Sequence, residues 1–156
     1  MKSKAEKIAP VAARLLLVDD NPSGLAARTM VLSELGYEIT TANNAESALA
    51  LFQTSPFPLM VTDYKMPGQN GVELIRAIRA VAPQTRIVLV SGFVDAMGIT
   101  EENSGADAVI MKSANEVSQL VRAVNRLSKR TAAKQPTRAL TESRKSTLKI
   151  KKTVGI

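Results

Sequence analysis

Strand-like apolar runs alternate with helix-like patterns five times along this chain, and that alternation constrains the fold more than any other feature. "RLLLV" (14–18) reads as a buried strand ending at Asp19 and Asp20. Asn21 and Pro22 then supply an N-cap side chain and a first-turn proline. Leu25, Leu32 and Leu35 share one face of the helix that follows, and Gly36 ends it. "YEITTA" (37–42) alternates as a strand. A second helix opens at Asn44, runs through Ala48, Leu49 and Phe52, and is stopped by "SPFP".

"LMVT" is the third strand, and Asp63 follows it at once. Pro67 and Gly68 forbid any continuation. Asn70 with Glu73 forms a capping-box pattern opening a helix whose apolar stripe is Leu74, Ile75, Ile78 and Val81. Pro83 breaks it. "RIVLVS" (86–91) and "DAVIM" (107–111) are the fourth and fifth strands. A last helix runs from about Asn115 to Lys129 on Val117, Leu120, Val121, Val124 and Leu127. Between strands four and five, "GFVDAMGITEENSGA" is too rich in Gly, Thr, Asn and Ser for a good helix, so a short or irregular element is expected there.

At least four of the runs are nearly continuous in apolar residues, as strands covered on both faces are. The predicted fold is α/β, an open doubly wound sheet of five parallel strands with helices on both faces. Crossovers in such a sheet are right-handed, and ligands bind outside the carboxyl ends of the strands.

Composition narrows the chemistry. The chain has 156 residues, one domain's worth with room for a tail, and 45% of them are hydrophobic. With no Cys, disulfides, zinc ribbons and thiol chemistry are excluded. With no His, this chain performs neither His acid/base catalysis nor His phosphotransfer, and oxygen ligands remain for any metal. No apolar run approaches the roughly 20 residues of a membrane span, and the basic start is too short in apolar residues for a secretory signal. A soluble, cytoplasmic protein is expected.

Charge is unevenly spread. Residues 1–125 hold 11 Lys/Arg against 13 Asp/Glu, whereas residues 126–156 hold 10 Lys/Arg against one Glu. The organisation read from this is a flexible N-terminal segment (1–13), a near-neutral domain (14–129) and a basic, disordered tail (130–156). The tail offers a patch to nucleic acid or an acidic partner, but it has no aromatic residue for base stacking. The simpler reading, a solubilising tail, is preferred.

At the carboxyl ends of the strands stand Asp19 and Asp20, Asp63, Ser91 and Lys112. An Asp pair after a strand is by itself most often a helix-capping turn, and a lone Lys there a solvated charge. Together the five converge on one edge. Carboxylates so crowded repel unless a cation sits among them, and oxygen-only ligands suit Mg²⁺. A carboxylate beside Mg²⁺, with a hydroxyl and an ammonium at hand, can attack a phosphoryl group.

"LLLVDDNPSG", "VTDYKMPGQNGVELI", "VLVSG" and "GADAVIMKS" resemble the receiver domain of two-component response regulators, over residues 14 to about 129. The resemblance implies the flavodoxin-like strand order 2-1-3-4-5. It implies that Asp63 accepts a phosphoryl group from a sensor histidine kinase or a His-phosphotransfer protein. Asp20 would bind Mg²⁺ directly, Asp19 largely through water, and Asp63 and the carbonyl of Lys65 would complete the protein ligands. Ser91 takes the place of the switch hydroxyl, and Lys112 that of the family's lysine.

Two positions depart from the family. Lys112 is followed by Ser113 where the family has a proline with a cis bond, and Val109 stands where the family has its switch aromatic. Phe93 is the candidate substitute. The reading is a stand-alone, phosphorylation-dependent switch, not an enzyme beyond slow self-phosphorylation and autodephosphorylation, signalling by protein contacts; a homodimer is compatible with it. The alternative is a phosphorylation-independent binding module of the same fold. A phosphohydrolase of the haloacid-dehalogenase type would need Asp-x-Asp after its first strand, where this chain has Asp19-Asp20-Asn21.

Overall fold

A computed structural model describes residues 14–92 and 94–129 of the chain. The strands are β1 (Arg14–Val18), β2 (Glu38–Ala42), β3 (Leu59–Asp63), β4 (Arg86–Ser91) and β5 (Ala108–Met111). They form one sheet in the order β2-β1-β3-β4-β5, and every pairing is parallel. The parallel, doubly wound sheet is the one read from the strand and helix pattern, and its order is the one that the resemblance implied. The segments 1–13 and 130–156 and Phe93 lie outside the described residues, as do the expectations attached to them.

Alternate strand residues point to opposite faces, so each strand feeds two cores. Leu15 and Leu17 of β1 pack with Leu59, Val61, Val88 and Val90 under α1 (Pro22–Glu34) and α6 (116–129), which contribute Leu32, Leu120, Val124 and Leu127. Leu16 and Val18 face the other way. They join Met60, Ile87 and Leu89 beneath α2 (Ala45–Thr54) and α3 (Gly71–Val81), through Phe52, Leu74, Ile75 and Ile78. At roughly 1.5–3 kcal/mol for each fully buried side chain, these two layers supply most of the driving force.

The helix starts follow their caps. Asn21 accepts from the backbone N–H groups of Ser23 and Gly24, Asn44 from that of Ser47, and Asn70 and Glu73 exchange bonds of 2.9 and 2.8 Å in the expected capping box. Gly36, at φ +103°, carries the chain out of α1 in a conformation that favours glycine. Between β4 and β5 the chain makes two single turns, α4 (Val94–Met97) and α5 (Glu101–Ser104), in place of one helix. The short, irregular element expected from composition is what forms.

Some boundaries and stripes differ from expectation. Tyr37 precedes β2, its N–H closing α1 on the Leu32 carbonyl. Asp107 precedes β5, where its carboxylate accepts from the Ile87 N–H at 2.8 Å and from Arg79 at 2.9 Å. Asp63 is the last residue of β3 itself. Val81 and Val117 are 60% and 47% exposed and do not belong to the buried stripes. Val81 is the terminal residue of α3 and Val117 lies in the first turn of α6, so neither has a packed layer over it. Among the described residues no peptide bond is cis, so a trans bond to Ser113 carries Lys112.

Candidate functional site

All the polar strand-end residues gather at the carboxyl edge of the sheet. Asp63 ends β3 and Ser91 ends β4, both almost fully buried because the ladder continues to their ends: Asp63 pairs with Val90, and Ser91 with Met111. The Tyr64 N–H then reaches the Val90 carbonyl at 2.9 Å, and the Lys112 N–H reaches that of Ser91 at 3.0 Å. These bonds fix where the chain leaves β3 and β5. A cleft of about 470 Å³ opens there, lined by Asp20, Asn21, Asp63, Lys65, Met66, Pro67, Ser91, Gly92 and Lys112.

The loop after β3 packs tightly against the start of α3. The Gly71 N–H donates to the Tyr64 carbonyl at 2.7 Å. A Cβ at Gly71 would stand 2.5 Å from the Asp63 carbonyl oxygen and 2.9 Å from Leu89 Cδ1. Only glycine permits that approach without displacing the Asp63 carbonyl.

Carboxylate oxygens of Asp19, Asp20 and Asp63 lie within 4.8 Å of one another. Asp20 is exposed to the cleft, whereas Asp19 is buried behind it. Lys112 Nζ stands 2.7 Å from Asp63 Oδ1. The contact is an ion pair between a partly exposed ammonium and a nearly buried carboxylate. Burial raises the Asp63 carboxyl above its ordinary pKa; Lys112 draws it down, Asp19 adds to the rise, and Arg28 opposes it. Three carboxylates this close, one of them facing an open cleft, form a hard-oxygen donor set that fits Mg²⁺ or a like cation.

The family profile described as response regulator receiver domain matches residues 15–125. The chain belongs to this family.

This receiver domain is 27% identical over 114 residues to the response regulator receiver protein CpdR of Brucella abortus, covering 73% of this chain and 95% of that protein. It is 42% identical over 84 residues to the virulence sensor protein BvgS of Bordetella bronchiseptica, covering 51% of this chain but only 7% of that much longer protein. Among solved structures it superposes on the response regulator TrrA of Thermotoga maritima, in complex with Mg²⁺-BeF, with a TM-score of 0.66 and 33% identity over 73% of this chain and 97% of that one. The receiver domain of the Francisella response regulator 1452 gives a TM-score of 0.68 at 27% identity, over 76% and 98% of the two chains.

Two residues of the receiver domain's site escaped the sequence reading. Arg28, only 6% exposed, places Nη1 2.7 Å from Asp19 Oδ2, and its Nη2 lies 2.7 Å from Glu116 Oε2 at the start of α6. The signal was present in outline. Arg28 falls three residues after Leu25 and four before Leu32, a charge set in an apolar helix stripe. Its second partner lies 88 residues away and had no local signal.

Proposed function

We propose that the protein is a phosphorylation-dependent switch of a two-component relay, with Asp63 as the acceptor. One observation carries the reading: a buried strand delivers the Asp63 carboxylate into an open cleft, with the Lys112 ammonium at 2.7 Å and two further carboxylates within 4.8 Å. A structural ion pair has no need of that cleft or of those extra charges.

The donor would be a phosphohistidine of a sensor histidine kinase or a His-phosphotransfer protein. An Asp63 oxygen forms the new bond to phosphorus while the phosphorus–nitrogen bond breaks, and the electron pair remains on the imidazole. Lys112 pairs with the charge that reaches the phosphoryl oxygens, and the Ser91 hydroxyl is at hand to donate to one of them. Asp19, Asp20, Asp63 and the Lys65 carbonyl would hold Mg²⁺. When bound, the cation neutralises charge on the phosphoryl group. Proteins related to this chain include sensor histidine kinases such as GacS of Pseudomonas protegens, which supports that class of donor.

Output on this reading passes through protein contacts of residues 14–129, and turnover is limited to slow autodephosphorylation in the cytoplasm. No described helix is long and apolar enough to cross a membrane.

The test is incubation with a small phosphodonor, with and without Mg²⁺, followed by intact mass of wild type and Asp63→Asn. A Mg²⁺-dependent phosphoryl adduct that the variant lacks supports the reading. Folded wild type that forms no adduct turns it into a phosphorylation-independent binding module.

A further inference from the structure

The guanidinium of Arg28 is shared between two distant carboxylates. Nη1 donates to Asp19 Oδ2 at 2.7 Å, while Nε donates to Glu116 Oε2 at 2.8 Å. The other Asp19 oxygen, Oδ1, accepts from the Asn21 N–H at 3.0 Å. Both oxygens of this buried carboxylate are therefore already engaged. Gly24 leaves the room for that arrangement, since a Cβ there would stand 2.6 Å from Asp19 Oδ2. Glu116 opens α6, and its side chain is 17% exposed.

Asp19 thus differs from Asp20 and Asp63. Its charge is largely balanced before any cation arrives, and the group that balances it also anchors the first turn of α6. The geometry points to Arg28 as a positioning residue that couples divalent-cation binding at the Asp cluster to the docking of α6 through Glu116. The inference rests on the cation reading given above.

The direction of the coupling follows from charge. A cation drawing on Asp19 competes with the guanidinium for the same carboxylate and weakens that pair. Reciprocally, whatever alters the Arg28–Glu116 contact alters cation affinity by an equal factor. Glu116 shares the Arg28 charge, so its removal throws the whole guanidinium onto Asp19 and opposes the cation more strongly. The route from the Asp cluster to α6 needs no aromatic at Val109.

The experiment measures Mn²⁺ binding by electron paramagnetic resonance to the full chain as wild type, Arg28→Met, Glu116→Gln and the double variant. Arg28→Met should bind Mn²⁺ on the order of ten-fold more tightly, because a nearby positive charge is gone. Glu116→Gln should bind several-fold more weakly than wild type, by about the same electrostatic reasoning at reduced charge. In the Arg28→Met background, Glu116→Gln should change little.

Hydrogen exchange supplies the second readout: Mg²⁺ frees the guanidinium for Glu116, so it should slow exchange of α6 amides in wild type and leave Arg28→Met unaffected. Wild-type binding that is unchanged in both single variants overturns the coupling and leaves the cation reading intact. Equal effects of Glu116→Gln in both backgrounds overturn it too. Wild type that takes up no Mn²⁺ overturns both inferences together. Should Arg28→Met fail to fold, Glu116→Gln alone decides, and unchanged or tighter binding sinks the proposal.

Discussion

Lys112 Nζ lies 2.7 Å from Asp63 Oδ1, although the two residues leave strands that are not neighbours. Strand β4 runs between β3 and β5, and Ser91 at its end lines the gap that the lysine spans. The pair sets an ammonium over a nearly buried carboxylate while the cleft beside it stays open, so the charge is compensated without being closed off from a reactant.

Removing that ammonium should cost reactivity. Lys112→Met leaves Asp63 buried without its nearest counter-charge and leaves the charge developing on the phosphoryl oxygens without a partner. Phosphorylation by a small donor should slow by about 100-fold, in the range for losing one preorganised charge-stabilising group. Initial rates of adduct formation, compared at saturating Mg²⁺, check this; a rate within a factor of two of wild type would contradict it.

Asp63 should also leave a mark on stability against pH. Burial raises its carboxyl pKa above the ordinary 3.8, so the folded state binds this proton more tightly than the unfolded chain does. The stability contributed by this group is greatest in acid and is lost as pH rises from the unfolded value through the raised folded one. Asp63→Asn lacks that titration. At neutral pH it should be more stable than wild type by on the order of 1 kcal/mol, with the difference shrinking toward acid. Urea midpoints of both proteins across that interval give the difference directly, and carboxylates distant from the cluster cancel in it.

Gly71 offers a test of the loop that holds the acceptor. Alanine there must displace the Asp63 carbonyl at 2.5 Å, Leu89 Cδ1 at 2.9 Å or Tyr64 Cα at 2.9 Å. Gly71→Ala should lose about 1–3 kcal/mol, the usual cost of overpacking, and should slow phosphorylation because the displaced atoms adjoin the acceptor. Urea denaturation and the adduct rate measured together are the check.

The opposite end of the sheet serves as the contrast. Asp107 accepts from the Ile87 N–H and from Arg79 and Arg86, while Arg79 also donates to the Thr85 and Gly105 carbonyls. Asp107→Ala strips several donors of their partner and should cost about 2 kcal/mol. The phosphorylation rate of the folded protein should not change, since nothing in this network reaches the cleft. A rate loss matching that of Lys112→Met would show that the two ends are not independent.

Much of this molecule was legible in advance because its signals are short-ranged. Asn21 with Pro22, Asn44, and Asn70 with Glu73 mark helix starts within four residues, and each cap forms as read. The poor helix composition of residues 92–106 became two single turns. Val81 and Val117 misled because helical spacing reports a face and not how far the neighbouring layer extends beneath it. Tyr37 and Asp107 adjoin the β2 and β5 runs in sequence, but hydrogen bonds to Leu32 and Ile87 hold them outside the strands.

The sequence by itself determined the alternation of strands and helices, the strand-end positions of Asp19, Asp20, Asp63, Ser91 and Lys112, and the family resemblance they carry. These depend on periodicity, caps and turn residues, which act over a few positions. The tertiary structure decided the rest. It set Asp19 behind the cleft and Asp20 within it, brought the Lys112 ammonium to 2.7 Å from Asp63 Oδ1, and joined Arg28 to Glu116 across 88 residues. Such relationships depend on how strands align and helices stack, and no local pattern records the meeting of two side chains that far apart.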